Sequence, residues 1–330
     1  MIRLSAIADV VFHSSQFPDR IQRDLLESLR ARQIAHKFHY DSVKQTQKWL
    51  ALHRQFSPSR NDENCRAIYV QSFQAVAQAA NRETIHVVGL GCGGGQKDTN
   101  LIQALKRGKN EVIYTPCDVA SAMVLTARGT ALSALSEKRI FPMVCDLQTA
   151  NDFPDVLNAP DRRRARRIIT FFGMIPNFEP QDILPKLASL LRPKDILLFS
   201  ANLAPGNDYA AGLRRILPQY DNRPTHDWLM TFLTDLGIAK KNGNLIFKIE
   251  DANGGLKRTV AYFRFKRSCE LKIDDESFAF KSGETIRLFF SYRYTPDRVR
   301  DLLTAHDLQV QKQWITESQE EGVFLCAAGN

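Results

Sequence analysis

The chain has 330 residues, with 45 Lys and Arg against 36 Asp and Glu, a formal net charge of +9, and 44% hydrophobic residues. That balance excludes bulk disorder and provides a substantial core, as one elaborated domain or as two. No stretch approaches the roughly 20 apolar residues of a membrane helix, and the charge surplus is too modest to name an anionic partner.

Residues 1–17 are apolar only briefly, so no secretory leader is expected, and residues 1–80 read as polar helices. The run 84–90 (TIHVVGL) reads as a buried strand, followed at once by Gly91-Cys92-Gly93-Gly94-Gly95. Residues 96–107 carry Leu101, Ile102 and Leu105 at helical spacing. A strand over 112–114 runs on to Asp118, a helix is predicted over 121–135, and a strand over 139–145 ends at Asp146. A fourth strand spans 167–172 and leads into the turn 173–177. A helix at 180–191 and a strand at 195–203 close the series. Nearly all-apolar strands alternating with helices predict an α/β fold, a doubly wound parallel sheet covered on both faces.

The remainder differs in kind. Residues 206–240 read as helical, with Trp228, Leu229, Phe232, Leu233 and Leu236 on one face, and 244–290 as strands with turns at 253–255 and 282–283. A helix at 296–306 and a strand at 323–327 return to the α/β pattern. The expected layout is discontinuous: a core of 63–205 with 291–330, and a second α+β domain of 1–62 with 206–290. The six cysteines show no C-x-x-C and no metal spacing, which predicts a reducing, cytoplasmic setting. No histidine has ligand spacing, so no metal is expected.

A glycine-rich turn between a strand and a helix lets the backbone approach a nucleotide-like ligand, although such a turn is also common as plain structure. The loop G-C-G-G-G-Q-K lacks both the third glycine of a dinucleotide fingerprint and the G-K-[ST] of a phosphate loop. Asp118 stands where an acid grips ribose hydroxyls, and Asp146 with Leu147 where an adenine could rest; each acid could equally cap the following helix. All lie at carboxyl ends of strands, where open α/β sheets bind ligands. Together they suggest S-adenosyl-L-methionine (SAM).

The chain resembles the class I (Rossmann-like) SAM-dependent methyltransferases. More narrowly it is similar to the histidine-specific Nα-methyltransferases of ergothioneine biosynthesis, a family with relatives acting on other amino acids. The resemblance runs from about Lys37 to the C-terminus through KFHYD (37–41), FSPSR (56–60), LGCGGGQK (90–97), YTPCDV (114–119), VCDL (144–147), FFGMIPNF (171–178), YDN (220–222), SGETIRLFFSYRY (282–294) and GVFLCAA (322–328). It implies SAM contacts from Gly91, Gly93, Lys97, Asp118, Asp146 and Leu147. It implies substrate contacts from Gly173, Asn177, Tyr220 and Ser291, with Asn177 and Tyr220 at the substrate's carboxylate and amino end. Tyr40 is a further hydrogen-bonding candidate beside the substrate.

Three departures bear on function. Most class I enzymes carry an acid two residues before the first loop glycine, an anchor for the methionine part of SAM; here Gly89 stands there. The family's imidazole-recognising glutamate aligns with Phe289 and its partner methionine with Ala261, while Ser57 replaces a tyrosine and Arg60 is kept. A Phe accepts no hydrogen bond from an imidazole N–H, so histidine is a poor substrate. Met174 and Phe178 add apolar walls, and the expected product is an N-methylated, amino-acid-like small molecule. The basic run 161–167 raises an RNA methyltransferase, but no aromatic-interleaved basic stripe accompanies it, which disfavours nucleic acid. A noncatalytic SAM-fold scaffold is the other alternative, and the oligomeric state is left open.

Overall fold

The computed structural model describes residues 7–80, 82–158 and 164–329. The chain begins with β1 (Val11–Phe12), α1 (Pro18–Arg30), α2 (Val43–Phe56), α3 (Pro58–Asn61) and α4 (Glu63–Ala80). Proline opens α1 at a position where no N–H is needed, and Ser42 with Gln45 forms a reciprocal cap on α2. Then come β2 (Thr84–Leu90), α5 (Gln96–Arg107), β3 (Glu111–Asp118), α6 (Ser121–Ala131) and β4 (Met143–Val144). Next are α7 (Phe153–Leu157), β5 (Arg166–Phe172), α8 (Pro180–Ser189) and β6 (Ile196–Asn202). Helices α9 (Tyr209–Ile216) and α10 (Arg223–Asp235) precede β7 (Gly243–Asp251), β8 (Lys257–Phe265), β9 (Cys269–Ile273), β10 (Glu276–Phe280) and β11 (Thr285–Arg293). The chain ends with α11 (Pro296–Thr304), β12 (Leu308–Ile315) and β13 (Glu321–Ala328).

The main sheet has the order β1-β4-β3-β2-β5-β6-β13-β12, with the inner strands parallel and β13 antiparallel to both of its neighbours. The strand order turns back on itself between β2 and β5, so the glycine loop after β2 opens at the switch point of the sheet. Val76, Leu101 and Leu105 cover one face against Ile85 and Val87. Ile183, Leu184 and Leu187 cover the other against Ile169 and Leu197.

A three-stranded antiparallel sheet, β11-β8-β7, carries a second core in which Trp228, Leu229 and Leu233 of α10 meet Ala261, Phe263 and Leu288. Leu29 and Phe38 of the N-terminal segment join it, and Ile34 N–H donates to the Arg287 carbonyl at 2.8 Å. The run Leu288-Phe289-Phe290 is apolar throughout because a bulge between Arg287 and Phe289 breaks the alternation of faces.

Several elements differ from the sequence expectation. Of the run 139–145 only Met143–Val144 pairs as strand, and Glu137–Arg139 forms a short 3₁₀ turn. Pro142 lacks a donor there, and its carbonyl instead receives Val11 N–H at 3.0 Å from the unanticipated β1. Helix α6 stops at Ala131 rather than 135. Strand β12 was not foreseen, because its largely exposed edge carries polar residues such as Gln309, Gln311 and Lys312. Residues 161–163 of the basic run lie outside the described residues. Arg167 of that run is buried, its guanidinium donating to the carbonyls of Leu157 and Leu190, so the run is not wholly a solvated segment.

Candidate active site

The loop after β2 turns on positive φ angles at Gly91 (64°), Gly93 (51°) and Gly95 (71°). At Gly95 a Cβ would also lie 2.7 Å from the backbone of Ala127 in α6, so the residue must be glycine for space as well as for angle. The loop is clamped to the end of β3. Cys92 N–H donates to the Cys117 carbonyl at 3.0 Å, and Gly93 N–H to the Asp118 carboxylate at 3.0 Å. Asp118 also accepts Ala120 N–H at 3.1 Å, so it caps the following segment while facing the glycine loop. Burial pushes its carboxyl up to about 6, against the lowering effect of N–H donors from Gly93, Ala120 and Val119.

Asp146 is more heavily committed. Its carboxylate accepts from Gln148 N–H (2.9 Å), the Thr149 hydroxyl (3.1 Å) and the Lys37 ammonium (3.0 Å). Lys37 also pairs with Asp24 of α1, which in turn holds Arg20 at 2.9 Å. The N-terminal segment is therefore tied by a buried ion network to the end of β4. Leu147 lies beside it, almost wholly buried.

Two cavities meet at Gly91, Gly93 and Trp49. The larger, about 410 Å³, is lined on one side by Arg60, Arg66 and Lys97. The smaller, about 80 Å³, is lined by Tyr40, Asp118, Asp146, Leu147, Met174 and Asn177, among others. Met174 closes the space over the first glycine, since a Cβ at Gly91 would lie 2.3 Å from its Sδ. Other hollows are as large or larger, one of about 540 Å³ among Thr84, Arg166 and Asp195 and one of about 800 Å³ beside β1 and β4. The first lies at the starting ends of β2, β5 and β6, and neither touches the glycine loop.

Lys97 donates to the Tyr69 hydroxyl at 2.7 Å and lies 4.1 Å above that ring's centroid. Tyr69 donates to buried Glu321 and meets Ser200 Oγ at 3.0 Å, and Ser200 Oγ receives Gly173 N–H at 2.9 Å. A hydrogen-bonded chain thus joins the loop lysine to the turn after β5. On that turn Asn177 Nδ2 donates to the Phe290 carbonyl at 2.8 Å. The Tyr220 hydroxyl meets Ser291 Oγ at 2.9 Å and receives Arg293 Nε at 3.0 Å. Phe289 stands directly opposite Ala261 across β11 and β8 and packs against Tyr220 and Trp228 at ring distances of 6.1 and 5.9 Å. Tyr40 lies 5.5 Å from Trp228 and 5.8 Å from Trp49, and burial together with Asp118 pushes its hydroxyl pKa up.

Sequence reasoning passed over four residues here. Lys37 and Trp49 join the site from distant segments, and Asp98 lines the larger cavity from the first turn of α5. His36 lines the smaller cavity, edge-on to Phe289 and Phe290 at 5.2 and 4.6 Å, and both of its ring nitrogens are buried without a hydrogen bond. Burial, then His39 and Arg287, hold its pKa well below the usual histidine value. Its only sequence signal was adjacency to the KFHYD segment.

The profile of the family described as "histidine-specific methyltransferase, SAM-dependent" matches residues 20–236 and 244–328. The chain belongs to this family. It is a SAM-dependent methyltransferase on a class I fold. It is 23% identical over 282 residues to the N-methyltransferase imqF of Aspergillus flavus, spanning 82% of this chain and 73% of that protein. Among solved structures it is similar to the CcbJ methyltransferase from Streptomyces caelestis (10% identity, 79% of this chain and 90% of that chain, TM-score 0.41). It is also similar to SAM-bound CalS10, an amino pentose methyltransferase from Micromonospora echinaspora (12%, 78% and 89%, TM-score 0.36).

The donor set of this methyltransferase fits its cofactor. SAM carries a carboxylate at one end and ribose hydroxyls with an adenine amino group at the other. The larger cavity offers cations from Arg60, Arg66 and Lys97, and the smaller offers the carboxylates of Asp118 and Asp146. The smaller is below the roughly 300 Å³ at which small-molecule sites begin, with Trp49 and Met174 lying over the glycine loop. Among the described residues no His, Cys, Asp and Glu group is arranged for a metal ion, and no helix is long and apolar enough to cross a membrane.

Proposed function

We propose that this methyltransferase modifies the amino nitrogen of an amino-acid-like small molecule other than histidine, held between the parallel sheet and the β11-β8-β7 sheet. The imqF relative is named an N-methyltransferase, which supports nitrogen as the acceptor. The observation that carries the exclusion of histidine is Phe289 opposite Ala261, at positions where the resemblance implies a glutamate and a methionine. Phe289 is 7% exposed among aromatic rings, so an imidazole N–H placed there loses its partner.

In this reading Gly91, Gly93, Lys97, Asp118, Asp146 and Leu147 hold SAM, with Arg60 and Arg66 beside Lys97. Gly173, Asn177, Tyr220 and Ser291 hold the amino-acid end of the substrate. With Asn177 Nδ2 committed to Phe290, its Oδ1 is the atom offered to an amine. His36, neutral and lacking a partner, presents one donor and one acceptor to the same substrate.

When bound, SAM supplies an electrophilic methyl group that is already activated as a sulfonium. What remains for the chain is alignment and exclusion of water. Tyr40, Trp49 and Met174 provide a dry wall, and a dry pocket lowers an amine's pKa so that its lone pair is free. Incubating the purified protein with radiolabelled SAM and a panel of amino acids and amines tests the proposal. Label transferred to a non-histidine amine supports it, and label transferred only to histidine refutes it.

A further inference from the structure

The strand end that lacks its acid is not without a carboxylate. A Cβ at Gly89 would lie 2.1 Å from Asp98 Oδ2 and 3.0 Å from Asp98 Cγ, so the helix residue's carboxylate fills the space that a side chain at 89 would take. Asp98 is 3% exposed, in the first turn of α5, next to Lys97. It accepts the Tyr114 hydroxyl at 2.6 Å and the Thr170 hydroxyl at 2.7 Å, from the strands on either side of β2. A carboxylate has about four acceptor positions, so two hydrogen bonds leave it with capacity for another. It belongs to the lining of the larger cavity, with the glycine loop and the Arg60, Arg66 and Lys97 cations.

Gly89 and Asp98 therefore form one device. Glycine at 89 is the residue that leaves room for the aspartate, and a buried carboxylate is costly to retain unless a cation or polar partner makes use of it. We propose that Asp98 supplies from α5 the carboxylate missing at the end of β2, and that it receives the ammonium of SAM's amino-acid end while the neighbouring cations take the carboxylate. This rests on the placement of that end in the larger cavity.

The test is calorimetric and needs no turnover. S-adenosylhomocysteine, which has the amino-acid end, is compared with methylthioadenosine, which lacks it. Asp98→Asn is expected to weaken S-adenosylhomocysteine by about tenfold or more, as for loss of a hydrogen bond to a charged group, and to leave methylthioadenosine unchanged. Unchanged affinity for S-adenosylhomocysteine, or equal weakening of both ligands, overturns the assignment. Should Asp98→Asn fail to fold, the exchange Gly89→Asp with Asp98→Ala decides. It returns the carboxylate to the strand and leaves the Tyr114 hydroxyl as the remaining close neighbour at 3.1 Å. Affinity for S-adenosylhomocysteine within about threefold of the parent supports the device. A folded exchange variant that keeps only methylthioadenosine overturns it. Failure of the parent protein to bind either ligand would instead remove the cavity assignment on which the device rests.

Discussion

At the scale of single residues, Asp118 holds the glycine loop and is the carboxylate proposed for the ribose of SAM. It holds Gly93 N–H and caps the segment before α6, yet burial keeps its pKa near 6. The folded value is above the ordinary one, so ionising Asp118 costs the ligand-free fold nothing below about pH 4. The cost grows between about pH 4 and about pH 6 and is constant above that. Ribose hydroxyls donate to the ionised form, so ligand binding has the opposite preference. Affinity for S-adenosylhomocysteine is expected to fall about tenfold between pH 7.5 and pH 5. Calorimetry at the two pH values checks this, and in Asp118→Asn the affinity is weaker and that part of the pH dependence is lost. The position of Asp118 was legible, because an acid ending an apolar strand after a glycine loop is a local pattern. The carboxylate of Asp98 was not, since nothing in the linear order says that a helix residue fills the space over Gly89.

At the scale of elements, the N-terminal segment carries more of the site than its polar composition suggested. Lys37 reaches Asp146 across 109 positions and Asp24 across 13, with both ends of each pair buried. Removing one member of such a pair leaves a charge without a partner in low dielectric. Lys37→Met is expected to lower the free energy of unfolding by about 2–3 kcal/mol in urea denaturation, at the low end for buried pairs because Arg20 still holds Asp24. A loss under about 0.5 kcal/mol, the size of an ordinary surface substitution, would mean the network holds nothing together. The helices and most central strands were readable from periodicity. The exceptions, β1, the shortened β4 and β12, lie toward or at the sheet's edges. There pairing is decided by a neighbour from a distant part of the chain rather than by apolar runs.

For the molecule as a whole, the proposed site of substrate choice lies where the two sheets contribute residues. Phe289 and Ala261 come from antiparallel partners in the smaller sheet, while Asn177 and Gly173 follow β5 of the larger one. The joint substitution Phe289→Glu and Ala261→Met places a carboxylate and a thioether where the resemblance to the family implies them. Histidine methylation is then expected to rise at least about tenfold over the parent, the scale on which a hydrogen-bonding partner separates substrates. Steady-state assays with histidine as the varied substrate check this, and no gain in a folded variant would place the specificity elsewhere. His36, edge-on to Phe289, lies next to the introduced carboxylate and would join it in the new site.

By itself the sequence determined the alternation of strands and helices, the glycine turn after the first apolar strand of the α/β series and the two acids at strand ends. Each of these is a short-range pattern of apolar spacing or of backbone freedom. Only the tertiary structure decided which side chains share a space: Lys37 on Asp146, Trp49 and Met174 over the glycines, His36 against Phe289, Asp98 above Gly89. Those meetings depend on how distant elements pack, and packing is a property of surfaces that linear spacing does not record.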